Sequence, residues 1–398
     1  MIDYPNNPTV GQQFTAAGVT WTWDGSKWTG NGLNVAYLPL IGGTMIGPLT
    51  LQGNPVGNLD AAPKQYVDVL SAGYPLGANR IINGDMRIDQ RNNGASGTAG
   101  GYTVDRWQYA ASQAAKGTWG QSASGAPGFP YCLSFASSSA YTAAAAEYFE
   151  IVQAIEADAV SDFQWGTANA QPVTLSFWAT SNRTGTFSGA IQNYAGTRAY
   201  PFSFSLPTVS TWTKIVITIP GDTGGAWVMS GNAGAAYLCF DLGSGSSKRG
   251  PANAWASVGY TGVTGAVSIV ATNGATFYVT GVKLEIGSVA TPFNRKSPQE
   301  SLADCQRYYH DPAFGVASPV AYQVTCYATA VGTITTAMIT LPTTMRATPT
   351  LVVSNQAYAN SSAVGVVARS GQTVTTFLTS SAAGLATVGF NMTASAEL

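Results

Sequence analysis

Charge is the scarcest property of this chain: only 9% of its 398 residues are charged, 18 basic against 19 acidic. A phosphate backbone is held by clustered Lys and Arg, so nucleic-acid binding is excluded. Histidine occurs once, as His310. Serine and cysteine hydrolases need a general base, usually histidine, and His310 follows two tyrosines at an expected helix end, where a capping or structural role fits better. Cys132, Cys239, Cys305 and Cys326 lie far apart with no C-x-x-C pair, which argues against zinc or thioredoxin-type chemistry and predicts buried free thiols. No run approaches the roughly 18 apolar residues of a membrane span, so no membrane insertion is expected. The opening Met1-Ile2-Asp3-Tyr4-Pro5 has neither a basic start nor an apolar stretch, so no signal peptide is expected either. The glycine-rich stretches at 94–101 and 243–245 lack the Lys-Ser/Thr of a phosphate-binding loop and read as plain loops. Neither a cofactor nor a metal site is expected.

What is abundant points one way. The chain has 45 glycines, 10 Trp and 19 Tyr, with much Ser, Thr, Ala and Asn. Short strands joined by tight turns have this composition, whereas disordered chains of low charge lack the aromatics. The expected class is all-β, and the length calls for more than one core.

Five segments follow one another. Residues 1–33 alternate as a β-hairpin, with Val19, Trp21 and Trp23 on one face, a turn at Asp24-Gly25 and Trp28 on the return. Three indoles exceed what so small a module can bury. They either dock on another part of an oligomer or a larger particle, or pack on the chain's own next segment. Residues 34–78 form a stem rich in Gly, Pro, Leu and Asn, with a short helix around 60–70. Neither has the length for a private core, so both need neighbouring chains. Residues 79–296 carry the clearest strand periodicity, for example Val173, Leu175 and Phe177 against Thr174, Ser176 and Trp178, and predict a jelly-roll sandwich. The stretch 147–155 is read as strand, since Phe149, Ile151 and Ile155 share parity. Ser297-Pro298-Gln299-Glu300 is a capping box that opens a linker helix within 297–311, with Leu302, Cys305 and Tyr309 on one face. Residues 312–398 return to strand patterns as a second, C-terminal β-sandwich.

Three stretches resemble bacteriophage tail-fibre proteins. Leu40-Ile41-Gly42-Gly43-Thr44-Met45-Ile46-Gly47-Pro48-Leu49 with Ala61-Ala62-Pro63-Lys64-Gln65-Tyr66-Val67-Asp68 looks like their trimeric stem repeat. Asn79-Arg80-Ile81-Ile82-Asn83-Gly84-Asp85 with Tyr102-Thr103-Val104-Asp105-Arg106-Trp107 looks like the start of their jelly roll. Val279-Thr280-Gly281-Val282-Lys283-Leu284-Glu285-Ile286-Gly287 through Thr291-Pro292-Phe293, then Cys305-Gln306-Arg307-Tyr308-Tyr309, is similar to its exit. The resemblance implies a homotrimer, a jelly roll like that of carbohydrate-binding modules, and attachment to a virion, with the chain made in the host cytoplasm and displayed on the particle exterior. The N-terminal hairpin departs from the larger attachment domains of such fibres. Its Trp21, Trp23 and Trp28 are the candidates for docking to other virion proteins.

A glycosidase needs two carboxyl groups a fixed distance apart. Glu147, Glu150, Glu156, Asp158 and Asp162 form the only acidic cluster, and a solvated edge of the sandwich is the preferred reading for it. Sugar binding instead asks for flat aromatic faces beside planar polar groups. Tyr194, Arg198 and Tyr200, in a loop between strands, and Trp227, in a Gly-rich loop, supply that mix and are the candidate ligand-binding residues. For any single one of them, packing at a sheet end is the preferred reading. The expectation is a non-catalytic fibre subunit that binds a bacterial surface glycan as receptor. The alternatives are a purely structural fibre and, more remotely, a glycan depolymerase.

Overall fold

The computed structural model describes residues 3–16, 19–31, 78–315 and 320–398, in two compact units that divide after residue 72. The stem 34–78 and its short helix lie outside the described residues, apart from Ala78.

In the first unit the expected hairpin has gained a strand. β1 (Gln13–Ala16), β2 (Val19–Trp23) and β3 (Trp28–Asn31) form an antiparallel sheet in that order. Phe14 pairs with Trp21, and Trp23 pairs with Trp28. Asp24 closes the turn by accepting at Oδ1 from the amides of Ser26 (2.8 Å) and Lys27 (2.9 Å). Gly25 takes a φ of 103°, open to a residue without Cβ. The indoles pack backwards along the chain: Tyr4 stacks on Trp28 at 5.7 Å and meets Trp21 edge-on at 5.5 Å. All three tryptophans keep part of their surface accessible.

Among its described residues the second unit is all-β, as its periodicity predicts, apart from one α-helix and two 3-10 segments. Its strands begin with β4 (Gly101–Tyr102), β5 (Gln108–Ala111), β6 (Gly117–Ser122), β7 (Cys132–Ser137) and β8 (Phe149–Glu156). They continue with β9 (Val173–Ser181), β10 (Gly185–Asn193), β11 (Ala199–Leu206), β12 (Thr213–Ile219) and β13 (Gly234–Asp241). The parallel pair β14 (Arg249–Gly250) and β15 (Gly262–Val263) and the long β16 (Thr276–Ile286) complete the sandwich. One sheet has the order β11-β10-β13-β8-β5-β4, the other β12-β9-β16-β7-β6. Strand parity sends Phe149, Ile151, Phe177, Phe187, Phe202 and Phe240 into one buried core between the sheets. Each such side chain contributes on the order of 2 kcal/mol by leaving water.

The two motifs that resemble a fibre jelly roll meet at β16. Asn79 donates from Nδ2 to Val282 O (2.9 Å) and accepts at Oδ1 from Leu284 N (3.0 Å). A side chain at Gly84 would collide with Val282 O, at 2.1 Å from the position of a Cβ, so only glycine lets the two backbones meet. Lys283 is fully buried, and its ammonium is satisfied by Glu285 Oε2 (3.2 Å), Pro292 O (2.8 Å) and Thr291 Oγ1.

The capping box forms as read: Ser297 Oγ accepts from Glu300 N (3.2 Å), and Glu300 Oε2 accepts from Ser297 N (2.8 Å), opening α1 (Pro298–Gln306). The helix stops earlier than the spacing suggested. Tyr309, expected on its apolar face beside Cys305, lies instead in β17 (Tyr309–His310), where the backbone pairs with Ser395 and Ala394.

The C-terminal sandwich adds β18 (Tyr322–Ala328), β19 (Ile334–Thr340), β20 (Thr350–Ala359), β21 (Ser361–Ala368), β22 (Thr373–Ser380) and β23 (Gly384–Ser395). β23 pairs with β17, β18 and β20, and β22 sits between β19 and β21. Phe390, Met392, Leu378 and Val374 fill this second core. His310 is buried, donating or accepting at Nε2 with Tyr322 OH (3.1 Å), a structural position in a strand rather than a cap. All four cysteines are free; Cys132, Cys239 and Cys305 are buried, but Cys326 is half-exposed because its strand lies at a sheet edge. Among the described residues no helix is long and apolar enough to cross a membrane.

Candidate functional site

Three segments meet at one end of the jelly-roll sandwich: the β10–β11 turn, the stretch 157–171 after β8, and the loop 220–233 before β13. The turn is built by Asn193, whose Oδ1 accepts from the amides of Thr197 (2.8 Å) and Arg198 (3.0 Å) while Nδ2 reaches Ala226 O (3.0 Å). Arg198 is thereby aimed at Asp222, donating from Nε to Oδ2 (2.8 Å) and from Nη2 to Oδ1 (2.6 Å). Asp222 Oδ2 also accepts from Trp227 Nε1 (2.8 Å). Burial of Asp222 opposes ionisation, but the bonds from Arg198, Trp227 and the Gly224 amide outweigh it and hold the carboxyl below the usual range. The same pairing raises Arg198.

Around this ion pair the aromatics pack edge to face, an arrangement their ring quadrupoles favour. Trp165 lies 4.8 Å from Trp227 and 5.2 Å from Trp255, and Tyr200 is 5.3 Å from Trp255. Trp165 Nε1 donates to Gln171 O and Trp255 Nε1 to Pro220 O, both at 2.9 Å. Beside them opens a cleft of about 540 Å³, with Trp165, Trp227 and Met229 as its apolar wall and Gln164, Thr167 and Asn169 among its polar lining.

The four candidates drawn from the sequence therefore divide. Trp227 is in the cleft wall, and Arg198 supports it from behind through Asp222. Tyr194 is 36% exposed but stacks on Tyr237 at 4.7 Å, outside the cleft lining. Tyr200 is corrected: at 4% exposure its ring belongs to the core, since the alternation of β11 points it inward with Phe202 and Phe204. Trp165, Asp222 and Trp255 were missed. Trp165 and Trp255 lie in short turns beside Gly and Asn, the same cue that singled out Trp227.

The reading of the acidic cluster as a solvated edge is corrected in part: Glu156 and the Asp162 side chain are buried, whereas Asp158 is exposed and Glu147 half-exposed. Glu156 is 4% exposed and held by Arg307 and by Tyr308 OH (2.5 Å). Asp162 pairs with Arg80 (2.5 Å), Asp158 accepts from Gly231 N (2.5 Å), and Glu147 from Tyr141 OH and Ala144 N (both 2.8 Å). Glu150 Oε2 is buried without a partner; burial, and then the nearby Asp241 charge, push this carboxyl up to about 7 despite help from Cys239 and Lys248. Among the described residues, no three His, Cys, Asp or Glu side chains converge as metal ligands.

No family model matches the chain, and no curated protein matches it. Solved structures resemble it at low identity. The enzymatically active domain of tailspike protein 4 of bacteriophage CBA120 is 14% identical with a TM-score of 0.28, over 52% of this chain. The likeness spans only 21% of that tailspike structure. A proposed sugar-binding protein from Bacteroides thetaiotaomicron is 15% identical, TM-score 0.29, over 52% of this chain and 100% of that one. The family 11 carbohydrate-binding module from Clostridium thermocellum, solved with a β-1,3-1,4-mixed-linked tetrasaccharide, is 14% identical, TM-score 0.26, over 49% and 100%.

Proposed function

We propose that this chain is a subunit of a bacteriophage virion fibre, homotrimeric and displayed on the particle exterior, which adheres to glycan on the bacterial surface without cleaving it. The observation that carries the glycan reading is the cleft, where the partly accessible indole of Trp227, backed by the buried Trp165, lies beside the amides and hydroxyl of Gln164, Asn169 and Thr167. Sugar rings stack on such faces while planar polar groups take up their hydroxyls. The resemblance of residues 40–49, 61–68 and 279–293 to tail-fibre proteins supports the virion part. Trp21, Trp23 and Trp28 remain the proposed docking residues for other virion proteins.

Binding without turnover is supported by how the nearby acids are employed. Asp222 is committed to Arg198 and Trp227, and Glu156 to Arg307 and Tyr308, so neither is free to act as proton donor or nucleophile. A purely structural fibre is the second reading, favoured by the indole N–H groups of Trp165, Trp227 and Trp255, which are all spent on protein acceptors. A glycan array with the full chain separates the readings, followed by an assay for new reducing ends on any glycan retained. Retention without reducing ends is expected. A blank array favours the structural fibre, and released ends the depolymerase.

A further inference from the structure

The outer side of β16 carries a lysine that water does not reach. Strand parity sends Val282 and Leu284 into the core, so Lys283 and Glu285 lie on the other side of the sheet, across from Ser176 and Thr174 of β9. There the chain leaving β16 folds back over them. Both are 0% exposed, and among the described residues Lys283 is the only buried lysine. An ammonium taken out of water is costly, and a lysine so placed gives up its proton more readily than one in solution. Burial lowers the Lys283 pKa against the pull of Glu285, and the Lys214 charge adds to the effect.

The groups around the Lys283 nitrogen form a reactive set. Glu285 Oε2 is 3.2 Å from Nζ, and the carboxamide Oδ1 of Asn294 is 3.4 Å from it. The carboxylate is fixed in turn, since its Oε1 accepts from Thr291 N (2.8 Å) and its Oε2 from Thr291 Oγ1 (2.6 Å). Phe293 packs edge-on against Phe129 at 5.1 Å and anchors the segment that presents Asn294. An amine, a carboxyl group able to carry protons and a carboxamide are thus held together, and Asn294 is open to solvent on its far side.

We propose that Lys283 and Asn294 join in an intramolecular isopeptide bond, formed by the chain itself with Glu285 as the proton carrier. Lys283 first passes one proton to Glu285. The neutral Nζ then adds to Cγ of Asn294, forming the new C–N bond, and one of its two remaining protons is relayed through the Glu285 carboxyl to the side-chain nitrogen of Asn294. The old Cγ–N bond breaks and ammonia leaves into solvent. Glu285 keeps the proton taken from Lys283, so a buried ion pair is replaced by a neutral amide beside a neutral acid. Nothing is oxidised or reduced. Any pull on the C-terminal sandwich reaches the jelly roll along residues 287–297, and the bond carries it directly to β16. The proposal rests on neither the glycan nor the virion reading.

The test is tryptic mapping of the denatured full chain by mass spectrometry. Lys283 is expected to resist trypsin, so that residues 250–295 appear as one peptide. Its mass should be lower than the sequence requires by one ammonia, about 17 Da, with no backbone fragments from within the 283–294 ring. Asn294→Ala, a change at an exposed position, should restore cleavage at Lys283, and Glu285→Gln should do the same. A natural chain of full mass that is cut at Lys283 overturns the proposal. Ammonia lost from a chain still cut at Lys283 marks a succinimide at an Asn-Gly step such as Asn273-Gly274, and overturns it equally. A bond that persists in Glu285→Gln overturns the role given to Glu285.

Discussion

Arg198 and Asp222 face each other through two parallel bonds, of 2.8 and 2.6 Å, and this pair is what holds the β10–β11 turn against the loop that carries Trp227. Asp222 is 1% exposed, so removing its cation leaves a carboxylate buried in mismatch. Arg198→Ala is expected to cost about 2–4 kcal/mol, and Arg198→Lys to restore only part of it, because an ammonium cannot reproduce the forked geometry. Chemical denaturation of the three proteins checks this. Equal stability of Lys and Arg would show that charge alone suffices.

Glu150 makes stability depend on pH in the direction opposite to most carboxylates. Its folded pKa, near 7, lies above the ordinary glutamate value of 4.5, so the folded state holds the proton more tightly. Its contribution is fully present below about 4.5 and is lost as pH rises through 7. Glu150→Gln should therefore gain on the natural chain by about 1–3 kcal/mol at pH 8 and match it at pH 4. Parallel melts at the two values decide, since other titrating groups cancel in the difference.

Glu397 joins the two cores of the second unit. It accepts from Arg91 Nη2 (3.0 Å) and from Arg106, while Arg106 also lies 3.6 Å over the Tyr308 ring and is 2% exposed. In Glu397→Gln the buried guanidinium loses its counter-charge, which should cost about 3 kcal/mol and split a single calorimetric transition into two. One unchanged transition would mean that the modules are coupled elsewhere.

Thiol labelling offers a rapid check on the packing. Burial pushes Cys132 up to about 11 and holds Cys239 and Cys305 well above the ordinary thiol range. Only the half-exposed Cys326 should react in the folded protein, and all four after denaturation.

The sequence was most legible where local physics decides. Strand parity at Val173, Leu175 and Phe177 and the Ser297/Glu300 box describe contacts within a few residues, and both appear as read. β1 was missed because Gln13-Phe14-Thr15-Ala16 has a single large apolar residue and becomes a strand only beside Val19–Trp23. Glu156 and Asp162 were misread as solvated because their partners are remote: Glu156 meets Arg307 across 151 positions, and Asp162 meets Arg80 across 82. Tyr200 and Tyr194 look alike in the sequence, but Tyr194 lies in the turn after β10, whereas Tyr200 is in β11 on its inward parity, which separates an exposed ring from a core one.

The most direct test of the central claim is a titration of the glycan retained on the array against the natural chain, Asn169→Ala and Trp227→Phe. Asn169 is exposed in the cleft lining, and Phe at position 227 presents a smaller stacking face than the indole, whose N–H is bonded to Asp222 rather than to ligand. The account predicts about five- to tenfold weaker binding for each, roughly 1 kcal/mol, with the Asn169→Ala melt unchanged and trimer avidity enlarging the loss on cells. Unaltered affinity in both variants would place the sugar outside this cleft and contradict the account.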